Sequence, residues 1–327
     1  MNRLGGSGMN NKILAIHTGG TISMSTSDGL ISSAKENPVT LDSTVDLDIR
    51  LEEIYPVKKP SPHMTLDDML EIRDIILDKR NSFDGFVITH GTDTLEETAY
   101  FLDLVLDIPE PVIVTGAMRS FNEIGSDGLY NYISSLRTAM DSSSRDRGVL
   151  VVFNDEIHTA RNVTKTHTSN IATFQSPNHG PIGFLTKDSL QYHHQVAHQD
   201  QFDEVDLGYK VGLIKAHAGL DGTFFDALTE ADYHGLVLEA LGQGNIPPSA
   251  LSGLQKVLDH GIDVVLVSRS FNGIVGSYYD YEGGGHDLAG RGVIFSNGLN
   301  GQKARIKLVL ALGNGLSSSE LAEIFRH

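Results

Sequence analysis

The chain contains no cysteine and no tryptophan. Disulfides, thiolate nucleophiles and cysteine-based zinc sites are excluded together, so any nucleophile must be an oxygen or a nitrogen. Cations are scarce as well: 25 lysines and arginines stand against 42 aspartates and glutamates, a formal charge of −17. Such a charge repels phosphates and anionic headgroups, which argues against nucleic-acid and membrane-surface partners. No run approaches the roughly 18 apolar residues that a membrane helix requires. Residues 1–8 are Gly-rich and lead into no apolar signal-like stretch, so they read as a flexible leader and the expected location is cytoplasmic.

What is present suits a two-domain α/β protein. There are 327 residues with 40% hydrophobic content, and roughly 100 to 200 residues make a domain. Short β-branched runs at 12–17, 85–89, 111–115 and 148–153 alternate with helical periodicity at 95–106, at 125–140 and after Thr65. Thr65 and Asp68 have capping-box spacing, and the alternation is that of βαβ units around a parallel sheet. The pattern dissolves between 186 and 208 and resumes with a strand at 210–214. The expected domains are therefore 9–195 and 210–327, joined by a linker at 196–209. The second repeats strand and helix on a smaller scale, extended at 235–238 and 263–268, helical at 249–260 and 318–325.

Ligands of open parallel sheets bind where strands end at their carboxyl side, beside helix N-termini. Four strand ends run into polar clusters: Thr18-Gly19-Gly20-Thr21, His90-Gly91-Thr92-Asp93-Thr94, Gly116-Ala117-Met118-Arg119 and Asn154-Asp155. All four are expected at one edge. Thr21 follows two glycines that let the backbone turn and approach a ligand, so its hydroxyl suits attack on a carbonyl. A phosphate loop or a plain tight turn is the alternative, although neither nucleotide-binding glycine pattern is present. Thr94 and Glu97 have capping-box spacing, which leaves Thr92 and Asp93 to face a ligand, the carboxylate suiting an ammonium. Lys165 lies in the hydroxyl-rich Thr164-Lys165-Thr166-His167-Thr168. It is either a solvated surface group or a base for threonine. The histidines include no His-Glu-x-x-His, and no metal site is expected.

These motifs resemble the bacterial-type L-asparaginases and the related glutaminase-asparaginases. The resemblance is carried by Thr18-Gly19-Gly20-Thr21-Ile22, by 85–94, by Thr115-Gly116-Ala117-Met118-Arg119, Asp127-Gly128 and Val163-Thr164-Lys165, and by Gly301-Gln302-Lys303-Ala304-Arg305, in that order. It implies a larger flavodoxin-like N-terminal domain, a smaller α/β C-terminal domain, and a cofactor-free amidohydrolase of the cytoplasmic class acting on L-asparagine. By the resemblance Thr21 attacks the side-chain amide, while Thr92, Asp93 and Lys165 form a second catalytic group. Substrate would meet Gly20, Ser61, Gly91, Thr92, Asp93, Ala117 and Met118, with Asn245 and Glu282 supplied across a homodimer or homotetramer. Two departures stand out: Pro62 follows Ser61 where many members carry glutamine, and Leu30 falls where many carry a tyrosine. A broader glutaminase-asparaginase and a non-catalytic amino-acid sensor are the alternatives; two hydroxyls and a base are more than binding needs.

Overall fold

A computed structural model describes residues 11–20, 24–27, 30–33, 47, 49–196 and 200–326. It divides into two compact units, 1–176 with 180–196, and 177–179 with 197–327.

The N-terminal unit is built on an eight-stranded sheet. Its strands are β1 (Asn11–His17), β4 (Ile49–Ile54), β5 (Gly85–Thr89), β6 (Val112–Thr115), β7 (Val149–Phe153), β8 (Glu156–Thr159), β11 (Gly183–Leu185) and β12 (Leu190–Tyr192). Their order is β12-β11-β8-β7-β6-β5-β1-β4. The β4-β1-β5-β6-β7 stretch is parallel, and β8, β11 and β12 continue antiparallel. Two hairpins lie apart, β2 (Met24–Ser27) with β3 (Leu30–Ser33), and β9 (Thr164–Lys165) with β10 (Phe174–Gln175).

Near-continuous apolar runs let the central strands be buried on both faces, as parallel sheets require. One face presents Ile13, Ala15, Val87, Ile113 and Leu150 to Tyr132 and Leu136 of helix α3 (Gly128–Met140). Gly85 permits close approach here, because a Cβ would lie 2.8 Å from the Ala139 carbonyl. Helix α1 (Leu66–Lys79) packs on α2 (Leu95–Val105), which runs against β6 and β7. The capping box expected at Thr65 and Asp68 is formed, each side chain bonding the other's backbone N–H. Helix α3 begins at Gly128 rather than at 125, because Asp127 turns its carboxylate to the preceding loop, accepting from the Met118 and Arg119 N–H groups.

The C-terminal unit carries a parallel sheet of β13 (Val211–Lys215), β14 (Gly235–Ala240), β15 (Asp263–Ser268) and β16 (Ile294–Phe295). Its helices are α4 (Thr223–Glu230), α5 (Leu251–Asp259), α6 (Gly285–Gly290), α7 (Gly301–Gly313) and α8 (Ser318–Ile324). Leu236, Leu238, Val264 and Leu266 pack with Phe225 and Leu254, and α4 meets α5 where Gly222 touches Gly253. In α7 the buried Lys307 ammonium donates to Asp200 at 2.6 Å and to the Ile324 carbonyl. Among the described residues no helix is long and apolar enough to cross a membrane.

Candidate active site

The described residues of the four polar clusters meet at one edge because β1, β5, β6 and β7 are adjacent and parallel. The Thr18 N–H and hydroxyl both donate to the Thr89 carbonyl, at 3.1 and 3.0 Å, which binds the end of β1 to the end of β5. Gly20 has φ +86°, a backbone conformation that glycine adopts without penalty. A Cβ there would lie 2.3 Å from the Gly91 Cα, so only paired glycines let the two loops touch. Thr21 comes next in the sequence and lies outside the described residues. Leu30 is the first residue of β3, paired with Ser27.

Lys165 brings the candidate catalytic groups together. Its Nζ lies 2.9 Å from Thr92 Oγ1 and 2.7 Å from Asp93 Oδ1, donating to both. Thr92 is buried and Asp93 exposed, so the carboxylate faces solvent while the hydroxyl sits in the wall. The backbone of Lys165 belongs to β9, whose partner β10 seats Phe174 against Phe153 with ring centroids 4.4 Å apart. Glu96, buried in α2, accepts from the Thr164 hydroxyl at 2.9 Å and from the Lys165 N–H at 3.2 Å. Glu96 therefore aims the lysine through its backbone and the residue before it.

Ser61 flanks the same cluster. Its buried hydroxyl oxygen accepts from the Asp93 N–H at 3.2 Å, which leaves its own hydrogen to donate to a ligand. A Cβ on Gly91 would lie 2.6 Å from that oxygen, so this glycine too is dictated by packing. Pro62 lies inside a short 3-10 turn, Ser61–His63, where proline suits the first positions. The cap expected of Thr94 is not made. Its hydroxyl instead donates to the Ser61 carbonyl at 2.8 Å, and α2 starts without a side-chain cap.

On the third loop, Ala117 is buried and Met118 partly so. The Met118 and Arg119 N–H groups both donate to the Asp127 carboxylate, and Asn131 donates to Asp127 and to the Gly116 carbonyl. Asn131 also accepts from the Asn154 N–H, which joins the third and fourth strand ends. Glu96, Asp127 and Asn131 bear on the site by holding backbone. For Glu96 and Asn131 the trace in the sequence is a polar residue among the apolar ones of its helix, whereas Asp127 stands in the Asp127-Gly128 segment of the resemblance.

His90, fully buried, places Nδ1 2.8 Å from the Gly91 carbonyl and Nε2 2.9 Å from the Thr98 hydroxyl. Burial pushes its pKa from 6.5 down to about 4, against the smaller opposing pull of the Gly91 carbonyl. It is thus a neutral prop beneath the Thr92 loop.

Asn245 and Glu282 belong to the C-terminal unit. The Asn245 carboxamide oxygen accepts from the Gly285 N–H at 3.2 Å, tying the 242–245 turn to the start of α6. Glu282 is exposed on the neighbouring loop, beside Tyr281, His286 and Arg291. Among the described residues no group of three or more His, Asp or Glu is placed to hold a metal ion.

Comparison with known proteins identifies the family. The family model for the N-terminal domain of asparaginase matches residues 12–198, and that for the glutaminase/asparaginase C-terminal domain matches 210–325. An L-asparaginase of Bacillus licheniformis is 34% identical over 312 residues, covering 94% of this chain and 97% of that protein. L-asparaginase 2 of Escherichia coli strain K12 is 36% identical over 325 residues, covering 96% and 92%. A glutaminase-asparaginase of Pseudomonas aeruginosa is 29% identical over 331 residues, covering 96% and 89%. With both domain models in sequence order and full-length relatives above 30% identity, the chain belongs to the asparaginase family.

Proposed function

We propose that this amidohydrolase of the asparaginase family converts L-asparagine to L-aspartate and ammonia, with Thr21 as nucleophile and Thr92, Asp93 and Lys165 as the second catalytic group. The observation that carries the reading is the Lys165 ammonium, bonded at once to a buried hydroxyl and an exposed carboxylate. The Thr21 oxygen forms a bond to the side-chain carbonyl carbon, the C–N bond breaks, and the nitrogen leaves as ammonia after taking a proton. Water then cleaves the ester, returning the threonine hydroxyl and giving aspartate.

Each charge of the substrate has a complement. Asp93 is exposed, so its carboxylate offers a substrate ammonium a charge-assisted bond. Ser61 holds a hydroxyl proton available to the α-carboxylate. An ammonium docking on Asp93 draws that carboxylate away from Lys165; once Lys165 has given a proton to solvent, its neutral amine takes one from Thr92 or from water. Backbone N–H groups of a glycine-rich loop suit a carbonyl oxygen as it gains charge, because no side chain stands in the way. Glu282 completes the site from a second copy of the chain, because a desolvated ammonium is better held by two carboxylates than by one. A homodimer or homotetramer follows from that sharing.

Ammonia release from L-asparagine and from L-glutamine, measured side by side without added metal or cofactor, tests the reading. One extra methylene is worth about 1 to 3 kcal/mol in a snug pocket, so asparagine is expected to lead by roughly 10- to 200-fold in kcat/KM. Tight binding of asparagine with no ammonia released identifies a sensor instead and refutes the proposal.

A further inference from the structure

We propose that His17 is a positioning residue for this reaction: its imidazole, oriented by Glu53, ties the strand leading to Thr21 to the strand leading to Thr92 and so fixes the spacing of the two loops. The role in turnover rests on the threonine-lysine reading above, whereas the brace itself rests on geometry alone.

His17 is the last residue of β1, and its register partner on β5 is Thr89, two residues before Gly91. The ring is 2% exposed and ends a strand whose preceding residues, Ile13 to Ile16, are all buried and apolar. A buried imidazole without partners carries a desolvation cost, so both nitrogens should be matched. They are. Nδ1 lies 2.8 Å from Thr89 Oγ1 and Nε2 lies 3.3 Å from Glu53 Oε1. The same Glu53 oxygen accepts from the Tyr132 hydroxyl at 3.1 Å. The His17 hydrogen bond, opposed by burial and helped by its charge and by Tyr132, holds the Glu53 carboxyl below the ordinary carboxylate range. The ring is clamped in direction as well, stacked on Tyr55 with centroids 4.8 Å apart and tilted against Tyr132 at 5.8 Å.

The residue that His17 grips is also the anchor of the first loop. Thr89 gives its hydroxyl to the contact with His17 and its carbonyl to the Thr18 N–H and hydroxyl. From Thr18 the chain passes through Gly19 to Gly20, whose contact with Gly91 locks the loops again one layer higher. Glu53, His17, Thr89 and Thr18 thus form a continuous polar chain from the edge strand β4 to the base of both loops. A neutral imidazole with its proton on Nε2 donates to Glu53 and accepts from Thr89, and a protonated one donates to both. The brace keeps both contacts in either state.

His17→Phe tests it, keeping the ring between Tyr55 and Tyr132 while removing both polar contacts. Amide exchange in peptides covering residues 16–20 and 88–92 is expected to quicken by about tenfold or more, with β6 and β7 unchanged. Turnover of asparagine is expected to fall by roughly 10- to 100-fold through kcat. KM should stay within about threefold, because Asp93 and Ser61 are held by α2 and the 61–63 turn. His17→Asn, whose amide can reach Thr89 much as Nδ1 does, should recover part of the loss. Unchanged exchange in both peptides overturns the brace, and so does a loss spread evenly over the whole unit. Altered exchange with wild-type kcat overturns the catalytic role. A wild-type protein that releases no ammonia refutes the functional reading, and the exchange result still decides the brace. If His17→Phe does not fold, Glu53→Gln and His17→Asn carry the same readouts.

Discussion

Buried His90 makes the N-terminal unit acid-sensitive in a calculable way. A carbonyl can only accept, so Nδ1 carries the proton for Gly91, and Nε2 is left to accept from the Thr98 hydroxyl. Protonating Nε2 would place a charge in a fully buried site. The folded protein therefore refuses a proton until about pH 4, whereas the unfolded chain accepts one near 6.5. Stability from this residue is fully present above pH 6.5 and declines as pH falls toward 4. At 1.36 kcal/mol for each tenfold change, the full decline amounts to about 3 kcal/mol, most of it between about pH 6 and pH 4. Hydrogen exchange of β5 and α2 peptides in increasing urea, repeated from pH 7.5 to 4.5, measures the quantity locally. His90→Gln lowers stability at neutral pH, but its difference from wild type should shrink toward pH 4.5. A difference that stays constant across that range would show that His90 does not titrate between the two states, and would refute the assignment of a neutral buried imidazole.

Other consequences follow from the same geometry. Asp93→Ala should raise KM for asparagine by roughly 10- to 100-fold with a smaller change in kcat, read from initial rates, because its contact with the substrate ammonium is made in the ground state. Lys307→Met removes a fully buried ammonium and leaves the partly buried Asp200 without it, and breaking such a pair costs about 3 to 5 kcal/mol, seen as a lower urea midpoint in the C-terminal unit. Gly20→Ala should fold yet lose most turnover, since its Cβ would sit 2.3 Å from the Gly91 Cα and its φ of +86° is strained for alanine; circular dichroism and the ammonia assay separate the two effects.

The sequence was most legible where a single period dominates. Strands β1, β5, β6 and β7 are continuous β-branched runs, and their ends could be read as one polar edge before any contact was known. The box at Thr65 was equally plain, because its two side chains meet locally. Thr94 has the same spacing to Glu97, yet its hydroxyl goes to Ser61, 33 residues earlier, and no local rule carries that choice. Helix α7 shows no stripe because it is buried almost all round, down to Lys303 and Lys307, so amphipathic periodicity passes over it. Lys165 sits on a two-residue strand too short to leave a pattern. Its guides, Glu96 and the β10 hairpin, come from distant segments and act through backbone atoms. His17 was visible only as the polar end of an apolar strand.

The most direct test of the account is the Lys165→Met substitution, assayed for ammonia release from L-asparagine with aspartate binding followed in parallel by calorimetry. Lys165 touches Thr92 and Asp93 through one ammonium, and methionine keeps most of its length without the charge. Turnover is predicted to fall by about a thousandfold or more, with aspartate binding changed by less than about tenfold. Turnover within about tenfold of wild type would contradict the claim that Lys165 and Thr92 form the second catalytic group.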